Sequence, residues 1–84
     1  MTTVNKFNPA ITIKYLNTSI GMGRKQMTEI QALISALDVV IHSSYSNGET
    51  RIAARKSRID MLESVDLLFD MDVEQNRQLQ ELKA

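Results

Sequence analysis

Residues 49–82 read ETRIAARKSRIDMLESVDLLFDMDVEQNRQLQEL, without a glycine or a proline. Such a run predicts one uninterrupted helix, and at 1.5 Å per residue it makes a rod of roughly 50 Å. Its charge is sorted along its length. Arg51, Arg55, Lys56 and Arg58 fill the first part, and Asp60, Glu63, Asp66, Asp70, Asp72 and Glu74 follow with no base among them. A rod of this length needs a second element of comparable length to cover its apolar side.

That element lies immediately upstream. Over residues 24–44, Met27, Ile30, Ile34, Leu37 and Ile41 recur at alternating steps of three and four, with Leu33 and Val40 beside them. On a helical wheel they occupy an arc of roughly 140°, a core-facing stripe. Between the two helices, Ser43 to Gly48 is rich in turn-forming residues. Asn47-Gly48 tolerates positive φ, Ser46 with Glu49 has the spacing of a capping box, and a tight turn at 45–48 makes an antiparallel helical hairpin.

Further upstream, Gly21-Met22-Gly23 interrupts the pattern. Each glycine costs about 1 kcal/mol in a helix interior, so a hinge is expected at 21–23. Asn8-Pro9 has the chemistry of a helix start, with Asn as cap and Pro in the first turn. Over 9–20, Ile11, Ile13 and Tyr15 alternate as on a strand, whereas Ile13, Leu16 and Ile20 keep helical spacing. A short helix or arm is preferred, because a lone strand would have nothing to pair with. Residues 1–7 are expected to be disordered.

The long helix is apolar on more than one side. Around Val65, one face carries Met61, Leu62, Leu68, Phe69, Val73 and Leu79; Leu67, Met71 and Leu82 project away from it, with Ile52 and Ile59 on a flank. A helix of this kind is buried on more than one side, and one hairpin partner covers only one.

Composition points the same way. A chain of 84 residues makes one domain, spanning 1–84 here. A domain of this size buries only about 60% of its unfolded surface. Without cysteine to staple it, oligomerisation is the expected support, with a dimer favoured. Ten basic and ten acidic residues cancel, so the whole molecule has no electrostatic case for nucleic acid or an anionic membrane. The N-terminal residues lack a basic region followed by an apolar one, and the most apolar window, 32–41, is short and contains Asp38. Neither a signal peptide nor a membrane span is therefore expected. The absence of cysteine is compatible with the cytoplasm, which is the compartment expected.

No constellation supports chemistry. Asp70-x-Asp72-x-Glu74 lacks the glycine and the non-helical backbone of a calcium loop. Gly21-Met22-Gly23-Arg24-Lys25 lacks the spacing of a phosphate-binding loop, and a hinge is the preferred reading. His42 is the only histidine and sits where a helix C-terminus favours it. No catalytic residue, cofactor or metal is expected.

The chain is thus expected to be all-α: a hairpin of helices at about 24–44 and 49–82 with a shorter N-terminal element, assembling into a helical bundle. The expected function is non-enzymatic protein–protein interaction, as a small adaptor, chaperone or regulator that self-associates or docks a helix face on another protein. Leu67 and Met71 are the first interface candidates. Arg58, Val65 and Asp72 form a second set, in which Arg58 of one copy would meet Asp72 of another about a two-fold axis near Val65. The alternative is a nucleic-acid-associated regulator using Arg24, Lys25, Arg51, Arg55, Lys56 and Arg58 as a basic patch.

Overall fold

The computed structural model describes residues 8–84; the segment expected to be disordered, 1–7, lies outside the described residues. The described chain consists of two long helices, α1 (Pro9–His42) and α2 (Gly48–Lys83), packed side by side as an antiparallel hairpin. No strand occurs among the described residues. The radius of gyration is 19.3 Å, against about 12 Å for a globule of this length.

α1 begins as its sequence dictates. The Asn8 side chain accepts a hydrogen bond from the Ala10 N–H at 3.0 Å, and Pro9 stands in the first turn. The helix then runs unbroken through Gly21 and Gly23, so the expected hinge at 21–23 and the separate N-terminal element at 9–20 are replaced by one helix of 34 residues. Packing explains the continuity. Ile13, Leu16, Ile20, Gly23, Met27, Ile30, Ile34, Leu37 and Ile41 keep alternating steps of three and four, and all are buried or half-buried. The stripe crosses the glycines without losing phase. Contact with α2 on both sides of them offsets a penalty of about 1 kcal/mol each.

At the turn, the cap of α2 is Asn47 rather than the expected Ser46. Its Oδ1 accepts from the Thr50 N–H at 2.8 Å, satisfying one of the orphan donors of the first turn. Asn47 has φ −83°, and no glycine adopts positive φ. The turn works instead through Ser43, whose C=O accepts from the Ser46 N–H at 3.3 Å and whose Oγ accepts from the Tyr45 N–H at 3.2 Å.

α2 turns its own three-and-four stripe toward α1: Arg51, Ala54, Arg58, Met61, Val65, Leu68, Asp72, Gln75, Leu79 and Leu82. Leu16, Ile20 and Leu79 form a buried cluster near the open end, with Ile13 and Leu82 against it. Leu82 therefore belongs to the covered side of α2 and not to its far side. Leu62, Phe69 and Val73, read with Val65 as one face, are exposed. The wheel of a single helix cannot tell the centre of an apolar arc from its rim; only the partner's position does that.

Candidate interaction surface

The polar residues in the α2 stripe each meet α1 or its C-cap, Ser43. Arg51 donates through Nη2 to the Ser43 C=O at 2.7 Å, and Arg58 through Nε to Asp38 Oδ1 at 2.7 Å. Asp72 accepts from Arg24 Nε at 2.8 Å and Nη2 at 3.3 Å. Gln75 donates through Nε2 to Ser19 Oγ at 2.7 Å. These rungs tie the helices at several heights and set their register, since a slip of one turn would break them all. Asp72 also holds the Arg24 guanidinium, by hydrogen bond and charge, above its ordinary pKa.

On either side of the stripe, apolar residues remain uncovered. Antiparallel helices wind in opposite senses when viewed from one end. Residues one position after the stripe on both helices therefore share one flank, and residues one position before it share the other. The first flank carries Ile52, Ile59, Leu62, Phe69 and Val73 of α2, with Ile52 66% and Phe69 58% exposed. The neighbouring α1 positions are polar: Arg24, Thr28, Gln31, Ser35 and Asp38. The second flank combines Tyr15 and Met22 of α1 with Leu67 and Met71 of α2, the last two 67% and 52% exposed. Gly23 leaves a notch there, and the resulting groove is lined by Tyr15, Met22, Gly23, Met71, Asp72 and Gln75. Asp72, the acid in this groove, is already bound to Arg24.

The interface candidates read from the sequence thus fall in different places. Leu67 and Met71 lie together on the second flank. Val65 is half-buried in the stripe, while Arg58 and Asp72 are paired across the hairpin with Asp38 and Arg24. These α1 partners are not legible in the sequence, because charges at apolar wheel positions of α2 do not indicate which α1 residues face them. The seven-residue spacing of Arg58 and Asp72 with Arg51, Val65 and Leu79 was the available signal, since it continues the stripe through polar residues.

The six basic residues of the alternative set lie in two separate places. Arg51, Arg55, Lys56 and Arg58 lie near the turn, whereas Arg24 and Lys25 lie level with Asp72, about 25 Å along the hairpin. Arg24, Arg51 and Arg58 are engaged within the chain. The glycine-flanked segment lies inside α1 and offers no helix N-terminus to a phosphate. Asp70, Asp72 and Glu74 ride on continuous helix, and no group of three or more metal-ligating side chains occurs among the described residues. No helix among them is long and apolar enough to cross a membrane. Comparison with protein-family models, curated proteins and solved structures gave no match.

Proposed function

We propose that this chain is a non-enzymatic protein–protein interaction module that acts by self-association, the hairpin being half of a helical bundle with coiled-coil-like packing and the dimer its favoured state. The observation that carries this reading is the imbalance between core and flanks. Among the described residues, six hydrophobic ones are buried, Leu16, Ile20, Ile34, Ile41, Ala54 and Leu79, and no large side chain is fully so. Against that thin core stand two apolar flanks in regular spacing. Scattered exposed hydrophobics are normal on a protein surface, but contiguous ones mark a contact. The first flank offers roughly 100 Å² of apolar surface per large residue. Two copies would cover on the order of 1,000 Å², near the lower bound for a specific interface, before any contribution from their charged borders.

Light scattering across protein concentration and ionic strength tests this. A mass that rises with concentration and holds or increases with salt supports apolar association. A monomer that instead binds nucleic acid with an affinity falling steeply in salt would replace this reading with the basic-patch alternative.

A further inference from the structure

The self-association proposed above leaves open which surface is used and in what register, and the first flank carries enough detail to assign both. Along α2 this flank continues as Ile52, Arg55, Ile59, Leu62, Asp66, Phe69 and Val73, again at steps of three and four, and all seven are exposed. Two opposite charges thus interrupt an otherwise apolar strip. Neither Arg55 nor Asp66 belongs to an ion pair among the described residues, unlike Arg24, Asp38, Arg58 and Asp72.

Orientation follows from the charges. In a parallel pair of α2 helices, Arg55 would meet Arg55 and Asp66 would meet Asp66, with like charges opposed in the middle of the contact. In an antiparallel pair, residues in the two alternating positions of the strip face each other across the seam. One register pairs six of the seven positions. Ile59 meets Leu62 of the second copy, Ile52 meets Phe69, and Arg55 meets Asp66, each contact occurring twice about a two-fold axis between Asp60 and Met61. A shift of seven residues in one direction sets Arg55 against Val73 and Asp66 against Leu62. A shift in the other sets Arg55 against Ile59. Both bury a charge on an apolar side chain.

The sorting of charge along α2 agrees. Basic residues in its first half oppose the helix macrodipole and crowd one another, as do the acids Glu63, Asp66 and Asp70 further on. Antiparallel pairing brings the basic half of each α2 against the acidic half of the other, and turns both repulsions into attraction between copies.

We propose that a second copy of this chain docks on the α2 flank, antiparallel, with Arg55 and Asp66 as reciprocal partners that set the register. The second flank, with Leu67 and Met71, stays outside this contact. This assignment rests on the self-association proposed above, and the experiment separates the two.

Sedimentation equilibrium would be run on the wild-type chain, on Arg55→Asp and Asp66→Arg alone, on their equimolar mixture and on the double variant. Both positions are exposed, and each reversal relieves like-charge crowding within α2, so helix content measured by circular dichroism should not fall. Each single variant should dimerise about tenfold or more weakly than wild type, because like charges then oppose one another twice per dimer. The mixture of the two singles and the double variant should both recover dimerisation to within about threefold of wild type, because each restores two opposite pairs. If wild type dimerises and the single variants dimerise equally well, this register is overturned while self-association stands. A wild-type chain that stays monomeric at every concentration overturns both.

Discussion

Replacing Gly21 and Gly23 by alanine probes the least expected feature of the fold, the continuity of α1. Both glycines lie inside a helix of 34 residues, and neither has positive φ. A Cβ added at either position meets no atom within 4 Å, so the methyl group introduces no clash. What remains is the backbone term. Alanine loses less conformational freedom than glycine on entering a helix, a gain of about 0.5–1 kcal/mol per site. The double variant is expected to gain about 1–2 kcal/mol and to melt roughly 5–15 °C higher. Far-UV circular dichroism on heating reads this directly. Protein concentration must be held constant between samples, because association by itself would shift the melting temperature. A hinge gives the opposite outcome: if α1 bends at 21–23, alanine stiffens a joint that the fold uses, and helicity or melting temperature falls. A drop on either measure would refute the continuous helix.

Three further outcomes follow from the same contacts. Asn47→Ala should cost about 1 kcal/mol in chemical denaturation by removing the cap of α2, whereas Ser46→Ala should change little; the reverse ranking would restore the capping box. Leu79→Ala, in the buried cluster with Leu16 and Ile20, should cost about 2–5 kcal/mol, and a loss below about 1 kcal/mol would show that the open end of the hairpin is not packed. Hydrogen bonds from Arg77 and then Gln78 hold the Glu74 carboxyl below its ordinary pKa. A depressed folded-state pKa contributes stability that is present above the unfolded value and lost as pH falls through the folded one, so acid should loosen the end of α2. An NMR titration of Glu74 should have its midpoint below the ordinary carboxylate value and move upward in Arg77→Ala; an unmoved midpoint would remove Arg77 as the cause.

The hairpin itself was legible because apolar spacing is a property of each helix alone. Met27 to Ile41 announces a helix face, the run after Glu49 announces another, and the polar segment between them allows only a tight connection. The length of α1 was not legible. Glycine propensity argues locally for a break at 21–23, and only the unbroken phase from Ile20 through Gly23 to Met27 argues against it, by a packing term that exists once α2 is in place. The cap was missed by one residue, because Ser46 and Asn47 have equivalent capping chemistry and backbone geometry chooses between them.

At the candidate surface, Leu67 and Met71, expected on the far side of α2, are exposed but lie on a lateral flank that borders α1, Met71 sharing a groove with Tyr15 and Met22. Arg58 and Asp72 stand out in the sequence as charges on an apolar arc, but their partners Asp38 and Arg24 lie on another helix at sequence distances no local pattern reveals. Arg55 and Asp66 share the wheel sector of Leu62, Phe69 and Val73, but the sequence does not say whether that sector is covered or free. Once α1 fixes which side of α2 is covered, they become the two charges in an uncovered apolar strip.

The mass of the wild-type chain in solution bears most directly on whether the hairpin is half of an assembly. Sedimentation equilibrium from dilute to concentrated solution, at low and at high salt, should show twice the chain mass at the upper concentrations in both, the apolar contact persisting while salt screens the attraction between the charged halves. A single-chain mass throughout would mean that the exposed flanks of α2 do not bring two copies together.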